Sequence, residues 1–489
     1  MCAAKLYFCV FNKHTLFADM KHLSIIVFFT TLFWAAACSS PKDNFTIANV
    51  PLRDLDNDLH IGCECLDRDY ADWDSYKEYL IPLGMKYIRI QAGWAKTEKR
   101  PGVYDFAWLD HIIDDAVSMG LEPWLQTSYG NPIYEGGGTP YLAGGWPMSG
   151  EALTAWDNWV EEMAVRYHGK VHTWEIWNEP ELFLEPEPYI EATEFGERRE
   201  GVFESLIDLH VRTAGIIKRH DPDASIAALA MARLNPAFLD EVLCALKADG
   251  SDSLFDWVTY HGYRYRPEDM YPQVDSLQAV LSAHSDRIRL WQGETGAPSK
   301  GHTGGALTNY EWSETSQAKW DLRRIISDHG RGIRTGVFCI SEMNNGANDY
   351  VKKKNTKGIL QTDDSNRVLR PKEAWYALCN LTTLYQFLDE TLPSGEIVTP
   401  EGMHCSKFLF RDKETGVTSA VIWDDSAIPS DTQAEHGSDV TLPFKLRHPV
   451  SVDIRTGLVH RLKADGNIMH GVPLYDSPVM ITERKILPR

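Results

Sequence analysis

The chain lacks the motifs of the common metal and nucleotide sites. It contains no His-Glu-x-x-His stretch, and no pair of cysteines has zinc-ligand spacing. Asp54, Asp56 and Asp58 resemble the start of a calcium loop, but Leu59 occupies the position where that loop needs glycine. The three glycines at 136–138 precede no Gly-Lys-Ser/Thr, so they do not form a phosphate-binding loop. We therefore predict that the protein uses no metal and no cofactor.

Cysteine is scarce, with nine in 489 residues and six of them after residue 38. Two of these six, Cys63 and Cys65, are too close in sequence to pair within one strand, and the others lie in apolar segments. A chain of this length buries enough apolar surface to fold without a disulfide framework. We expect most of the six to be buried free thiols: Cys63, Cys65, Cys244, Cys339, Cys379 and Cys405.

Positive charge is also in deficit, since the formal net charge is −20. That charge argues against nucleic acid or an anionic membrane surface as a partner. It confers solubility and identifies no substrate.

The chain also lacks an apolar run long enough to cross a membrane, for which about 20 residues are needed. The run from Leu23 to Ala37 has 15 and follows a basic start at Met20, which is typical of a signal peptide. Three alanines before Cys38 resemble a bacterial lipoprotein box; the alternative is an ordinary signal peptide with a chance cysteine. Ser39, directly after Cys38, resembles the sorting signal that directs lipoproteins to the outer membrane. We predict a signal peptide over 1–37 with its true start at Met20, a lipidated N-terminus and tether over 38–58, and an outer-membrane lipoprotein of the cell envelope whose only membrane contact is its lipid.

What the chain does have is a regular alternation of strand and helix patterns. Short apolar or β-branched runs alternate with amphipathic helices, several of which end at glycine. Eight such units over 59–387 predict a (β/α)8 TIM barrel of the α/β class. A doubly wound open sheet would need a glycine-rich turn after its first strand, where Asp67-Arg68-Asp69 stands instead. The predicted strands are 60–65, 87–91, 123–126, 171–177, 225–230, 255–260, 288–292 and 335–340.

The pattern changes after residue 387. Helical periodicity stops, and short strand-like stretches are separated by turn residues such as Arg455-Thr456-Gly457 and Asp465-Gly466. We predict a small β-sandwich domain over 388–489 that packs on the barrel.

One stretch carries the chemistry: Trp174-Glu175-Ile176-Trp177-Asn178-Glu179-Pro180. It reads as a buried strand that ends in an amide and a carboxylate, and Pro180 stops the strand and biases Glu179 towards an extended conformation. The C-terminal ends of the strands are where a TIM barrel holds its active site. The Asn-Glu-Pro stretch resembles the acid/base motif of the retaining glycoside hydrolases of clan A, nearest to family 39-like and then family 5-like enzymes.

A second carboxylate, Glu294 in Gly293-Glu294-Thr295-Gly296, ends the seventh predicted strand, three βα units after Glu179. Retaining hydrolysis needs two carboxyl groups about 5–5.5 Å apart, one protonated and one ionised. The resemblance implies that Glu179 is the acid/base and Glu294 the nucleophile. Glu342, after the eighth strand, is a candidate for substrate contact and an alternative nucleophile.

Further roles come only from the resemblance. It implies that Arg89 orients the nucleophile and that Asn178 binds the sugar 2-hydroxyl. After the sixth strand it implies site roles for His261 and for a tyrosine that donates to the nucleophile; Tyr263 is our choice, with Tyr260 left open by the unknown register of the strand.

Aromatic residues crowd the same predicted loops, and sugar rings stack on aromatic faces. We predict subsite walls at Trp94, Tyr129 and Trp146, with ordinary core packing as the alternative. Tyr134, Tyr141 and Trp312 are weaker candidates of the same kind.

These residues predict a retaining glycoside hydrolase that cleaves β-linked oligo- or polysaccharides by double displacement, with xylosidase-, galactosidase- or glucosidase-like specificity. The alternative is a non-catalytic glycan-binding surface lipoprotein on a degenerate barrel. Binding alone needs no carboxylate pair, so the presence of both glutamates with Arg89 and Asn178 favours the enzyme.

Overall fold

The computed structural model describes residues 45–148, 150–184, 201–345, 353–434 and 437–488. The predicted signal peptide and Cys38 lie outside these residues. Within them, no helix combines the length and the apolar character that a membrane span requires. The described chain from Phe45 onward forms one compact unit.

Eight parallel strands form a barrel, as predicted. The first seven strands pair with one another in the order of the chain, and the eighth pairs with the first. A bridge between Trp291 and Arg334 joins the seventh strand to the segment that leads into the eighth. Gln292 N also donates to Arg334 O at 2.9 Å, so the ring closes and the open-sheet alternative is wrong. The strands are β1 (His60–Gly62), β2 (Tyr87–Gln91), β3 (Glu122–Thr127), β4 (Thr173–Ile176), β5 (Ser225–Met231), β6 (Trp257–Tyr260), β7 (Arg289–Gln292) and β8 (Gly336–Val337).

Helices on the outside return the chain to the start of each strand. They are α1, in the short segments Trp73–Tyr76, Lys77–Tyr79 and Leu80–Leu83, then α2 (Ala107–Ser118), α3 (Gly150–Arg166), α4 (Val202–His220), α5 (Pro236–Ala248), α6 (Tyr271–His284), α7 (Glu314–His329) and α8 (Glu373–Tyr385). Helix α1 is broken because Pro82 cannot donate to the carbonyl of Glu78 and its ring crowds that carbonyl.

Smaller elements lie in the loops and at the chain ends. Helical turns occur at Leu52–Asp54, Trp94–Thr97, Glu181–Leu184, Ser251–Leu254, Pro267–Met270 and Arg484–Ile486, and short strands pair at Glu98–Arg100 with Val103–Tyr104 and at Leu360–Thr362 with Val368–Pro371.

The lower half of the barrel interior is filled by aromatic rings. Trp124 and Trp291 stack with their ring centroids 4.1 Å apart, and the His60 ring lies edge-on to Trp124 at 5.0 Å. Because side chains alternate along a strand, Arg89 and Gln91 of β2 point into the same interior above these rings. The rings therefore form the base of the barrel interior. The polar side chains directly above them, which include Arg89 and Gln91, are called the polar layer.

The C-terminal part is a β-sandwich, also as predicted. A seven-stranded antiparallel sheet packs on a three-stranded sheet. Its strands are β9 (Glu390–Leu392), β10 (Cys405–Arg411), β11 (Thr418–Asp424), β12 (Ser438–Thr441), β13 (Pro449–Asp453), β14 (Leu458–Arg461), β15 (Lys463–Asp465), β16 (Ile468–Val472) and β17 (Val479–Glu483). Strands β12, β15 and β16 form the smaller sheet, and the short N-terminal strand Phe45–Thr46 joins the edge of the larger one beside β14.

The larger sheet is buried on both faces. On β11, Ala420 and Ile422 face the sandwich core, whereas Val421 and Trp423 pack in the core shared with the barrel. Polar contacts reinforce this second face: Trp423 Nε1 donates to Glu268 Oε1 at 2.9 Å, and Lys319 of α7 pairs with Asp476 at 2.6 Å.

In the part of the chain that the structure describes, the six cysteines after residue 38 are thiols, and four of them are buried. Cys405 is half-buried. Cys244 is exposed on α5, because the helix presents this position to solvent although its sequence neighbours are apolar.

Candidate active site

Polar side chains converge in one pocket at the C-terminal ends of the barrel strands. Its volume is about 430 Å³, and both predicted carboxylates, Glu179 and Glu294, line it together with Asn178 and Tyr263. The loop after β7, around 302–309, and the segment 353–357 after β8 form much of the remaining wall.

Glu179 reaches the pocket through an unusual backbone turn. Trp177 and Glu179 have φ of 62° and 50°, in the left-handed region, so the predicted extended conformation of Glu179 is wrong. Glu179 N donates to Ala230 O of β5 at 3.0 Å, which ties this turn to the neighbouring strand. Positive φ in residues other than glycine costs about 1–3 kcal/mol and clusters at functional sites. Here it turns the carboxylate towards the barrel axis.

Glu294 follows β7, and both of its oxygens accept hydrogen bonds. Tyr263 Oη donates to Oε1 at 2.8 Å, and Arg89 Nη1 donates to Oε2 at 3.0 Å. Burial by itself would raise the pKa of Glu294, but the positive charges of His261 and Arg89 and the Tyr263 hydrogen bond outweigh it, so that pKa lies below its usual range. The structure therefore holds this carboxylate ionised.

The two carboxylates lie close together, with His261 between them. One oxygen of Glu179, one of Glu294 and a ring nitrogen of His261 are all within 4.8 Å of one another. His261 Nδ1 is 2.7 Å from Glu179 Oε1 and 3.7 Å from Glu294 Oε2. Burial would lower the pKa of His261, but the two carboxylates outweigh it and raise that pKa.

Arg89 connects the whole polar layer. Its side chain is fully buried, and its donors reach Glu175 Oε2 at 2.8 Å, Asn178 Oδ1 at 2.8 Å and two further carboxylates. Gln126 Nε2 also donates to Glu175 Oε2, at 2.7 Å. The arginine predicted to orient the nucleophile therefore lies against it and also against the amide beside the acid/base candidate.

The register of β6 decides between the two tyrosines. Tyr263 contacts Glu294, whereas Tyr260 is fully buried on the outer face of the barrel, in the core beneath the helices.

Asn178 also lies in the pocket wall, and its Nδ2 donates to Tyr129 Oη at 2.8 Å. Of the predicted aromatic walls, Tyr129 is the one that lines the pocket.

Three predicted substrate contacts lie elsewhere. Trp94 is fully buried, stacks on Tyr134 and donates to Glu98 at 2.6 Å. Trp146 packs edge-on against Trp177 with 1% exposure, so both tryptophans belong to the core. Glu342 is 5% exposed and forms ion pairs with Lys354 and Lys372, each at 3.1 Å, which turn it away from the pocket. These three expectations are wrong.

Sequence reasoning missed Glu64, Gln91 and Gln126 of this layer and did not decide whether Glu175 faces a helix or the barrel interior. For all but Glu64, the signal was present. Gln91 stands two residues after Arg89, and Gln126 and Glu175 occupy inward positions that pair directly across β3 and β4. Alternation along a strand places such residues on one face. Glu64 lies after β1 in a turn, where no periodicity applies.

The two candidate catalytic carboxylates and the histidine between them also form a candidate cation site in the pocket. Glu179, His261 and Glu294 each offer one ligand atom. Arg89, 3.0 Å from Glu294, places a fixed positive charge beside them and disfavours a second cation. The absence of a metal stays a prediction.

Comparisons with known proteins agree with this architecture. A family model described as β-galactosidase, of glycoside hydrolase family 42, matches residues 68–134. No curated protein matches the chain significantly. A family 39 glycoside hydrolase from Bacteroides cellulosilyticus WH2 superposes with a TM-score of 0.59 at 16% identity, covering 87% of this chain and 80% of that one. The chain shares the fold of the family 39 glycoside hydrolases.

Two further solved structures have the same fold. A monomeric β-xylosidase from Caulobacter crescentus CB15 gives a TM-score of 0.57 at 15% identity and covers 89% of this chain and 97% of that chain. A family 39 enzyme from Xanthomonas axonopodis pv. citri gives 0.56 at 16% identity, with 89% and 95% covered.

Proposed function

We propose that the protein is a retaining glycoside hydrolase that cleaves β-linked glycans by double displacement. The observation that carries this proposal is the carboxylate pair at the mouth of the barrel, in which one oxygen of Glu179 lies within 4.8 Å of one oxygen of Glu294. Retaining enzymes hold their carboxyl groups about 5–5.5 Å apart, whereas inverting enzymes need about 6.5–9.5 Å to admit a water. Two structural neighbours are a β-xylosidase and a glucosidase, and the matching family model is that of a β-galactosidase, so the substrate search starts with β-xylosides, β-glucosides and β-galactosides.

In the first step, Glu294 attacks the anomeric carbon and Glu179 protonates the leaving oxygen. Arg89 and Tyr263 hold both oxygens of Glu294, which keeps it ionised and aimed into the pocket. In the second step, Glu179 accepts a proton from water, and the water displaces Glu294 from the glycosyl-enzyme. His261, bonded to Glu179 Oε1, holds that carboxyl group in place during both steps.

The test is a comparison of Glu294→Gln and Glu179→Gln on aryl β-glycosides of graded leaving-group ability. Glu294→Gln should abolish turnover on every substrate. Glu179→Gln should slow poor leaving groups most, because an activated phenol leaves without a proton. A surface change, Glu151→Gln at the start of α3, is the control for expression and folding.

Proton NMR of the first-formed sugar decides the stereochemistry. Net retention supports the mechanism, and an inverted anomer refutes it. A wild-type protein that binds glycans and hydrolyses none of the panel would instead be the non-catalytic binder.

A further inference from the structure

A third carboxyl group, Glu64, lies in the wall of the pocket beside the catalytic pair. It follows β1 by two residues and is 3% exposed. It has no step in the proposed mechanism, although it accepts a hydrogen bond from Arg89, which also holds the nucleophile.

The backbone makes room for this carboxyl group. A Cβ atom on Gly62, the last residue of β1, would lie 2.3 Å from Glu64 Oε2 and 3.0 Å from its Cδ. The side chain of Glu64 therefore folds back over β1 and occupies the interior space that a side chain at position 62 would otherwise fill. Residue 62 has to be glycine for Glu64 to reach the polar layer.

Glu64 and Glu294 accept hydrogen bonds from the same nitrogen of Arg89. Arg89 Nη1 donates to Glu64 Oε1 at 2.8 Å and to Glu294 Oε2 at 3.0 Å, one hydrogen to each. The other donors of Arg89 are directed to Glu175, Asn178 and His261 Nε2. A stronger attraction between Arg89 and Glu64 therefore weakens the hydrogen bond from Arg89 Nη1 to Glu294.

Charge determines which carboxyl group keeps its proton. Three of them surround one guanidinium, and Glu64 Oε2 is buried with no hydrogen-bond partner among the described residues, which penalises an ionised oxygen there. Burial and the charge of Glu294 raise the pKa of Glu64 to about 7 against the opposing effect of Arg89, whereas the pKa of Glu294 falls. The titratable groups that face Glu64 from the surrounding elements are Cys63, Tyr76, Arg89, Tyr263, Glu294 and Cys339.

We propose that Glu64 is a positioning residue of this site. As a neutral acid it accepts one hydrogen bond from Arg89, and the positive charge of the guanidinium then stabilises the Glu294 carboxylate. This inference rests on the proposed function. When Glu64 ionises, it attracts Nη1 away from Glu294, and the nucleophile is then held by Tyr263 alone. Activity should therefore decline as Glu64 loses its proton, which makes this carboxyl group a determinant of the basic limb of the pH profile.

The decisive variant is Glu64→Gln, which keeps an acceptor oxygen and the shape of the side chain but cannot ionise. Its kcat/KM at acidic pH should stay within a few-fold of wild type, and its basic limb should move up by about one pH unit or more, the size of a typical effect of a neighbouring charge. Glu64→Ala should lose about tenfold or more in kcat/KM at every pH, because an Arg89 donor is left without its partner.

The matched control is Glu181→Gln. Burial also raises the pKa of Glu181, to about 8, but its Oε1 accepts from Arg233 N at 2.8 Å and it does not contact Arg89. A basic limb that is identical in wild type and Glu64→Gln, or that moves only in Glu181→Gln, would overturn the proposal.

Infrared difference spectra of wild type against Glu64→Gln provide a readout without substrate. The difference spectrum should contain a carbonyl stretch of a protonated carboxylic acid on the wild-type side below pH 7, and this band should disappear as pH rises. The bands of Glu179 and Glu181 are common to both proteins and cancel. A difference spectrum without this band below pH 7 would refute the role of Glu64 alone. A wild-type protein that hydrolyses no glycoside would refute the proposed function, so the two failures are distinguishable.

Discussion

Replacing Arg89 should destabilise the fold as well as the site. The side chain is fully buried, and four of its hydrogen bonds, at 2.8–3.0 Å, are made to Glu64, Glu175, Glu294 and Asn178. Arg89→Met removes the charge and leaves buried carboxylates unpaired, for which the usual cost is about 3–5 kcal/mol. Against a typical total of about 5–15 kcal/mol, that is at least a fifth of the stability of a domain.

Arg89→Lys separates charge from geometry. Lysine keeps the positive charge but has three donors on a flexible stem in place of the planar fork, so it can satisfy only part of this cluster. Loss of two charge-assisted hydrogen bonds, at about 1.5–3 kcal/mol each, predicts a cost of about 3 kcal/mol or more. We expect Arg89→Lys to fold and to be slow, because Glu294 loses a donor and Asn178 loses its orientation.

The assay is urea unfolding followed by the fluorescence of the sixteen tryptophans. Arg166→Met is the control: Arg166 forms an ion pair with Asp110 on the surface, with 47% of its side chain exposed, and should cost less than about 1 kcal/mol. If Arg89→Met unfolds at the same urea concentration as wild type, with an unchanged m-value, the reasoning that this arginine neutralises buried carboxylates is refuted.

Three further outcomes are expected. Tyr263→Phe removes a donor to Glu294, so the pKa of Glu294 should rise and the acidic limb of kcat/KM should move to higher pH; an unmoved limb would contradict the assignment. Ending the chain after residue 387 exposes the barrel face that β10 and β11 cover, and size-exclusion chromatography should show aggregation; a soluble, active truncation with unchanged Tm would make the sandwich an independent module. Cys38→Ala in the native host should prevent lipid attachment, which mass spectrometry measures; a wild-type protein without lipid would refute the proposed outer-membrane lipoprotein.

Much of the fold could be predicted because its signals are local. The alternation in Tyr87-Ile88-Arg89-Ile90-Gln91 specifies a strand with one apolar and one polar face, and the observed β2 has the predicted bounds. Glu179 and Glu294 were predictable because strand ends in a barrel share one rim. The predicted roles of these two residues await the experiments above.

The errors fall where a side chain's surroundings are set by distant parts of the chain. Glu342 follows a strand as a substrate-binding residue would, but its orientation is decided by Lys372, thirty residues later at the start of α8. Trp94 lies in the loop after β2, yet tryptophans of α3 enclose it in the core. Glu64 reaches the site only because Gly62 leaves the space, a relation that no periodic pattern encodes.

The pairing of the first described strand with β14 constrains the order in which the molecule can be completed. Phe45 lies opposite Val459, so the edge of the larger sandwich sheet cannot form until the ribosome has made the whole barrel and most of the sandwich. Closing a loop of this length carries an entropic cost that grows only slowly with length, but the contact forms late and contributes to slow folding. The first described strand and β17 also belong to one sheet, with β14 and β13 between them, and the guanidinium of Arg484, just after β17, lies 5.2 Å from the Phe45 ring centroid. A circular permutant that joins the two ends of the described chain by a short linker and opens a surface loop elsewhere should keep the sheet. In that permutant the edge strand and the strand it pairs with would be close in sequence and would be synthesised shortly after one another.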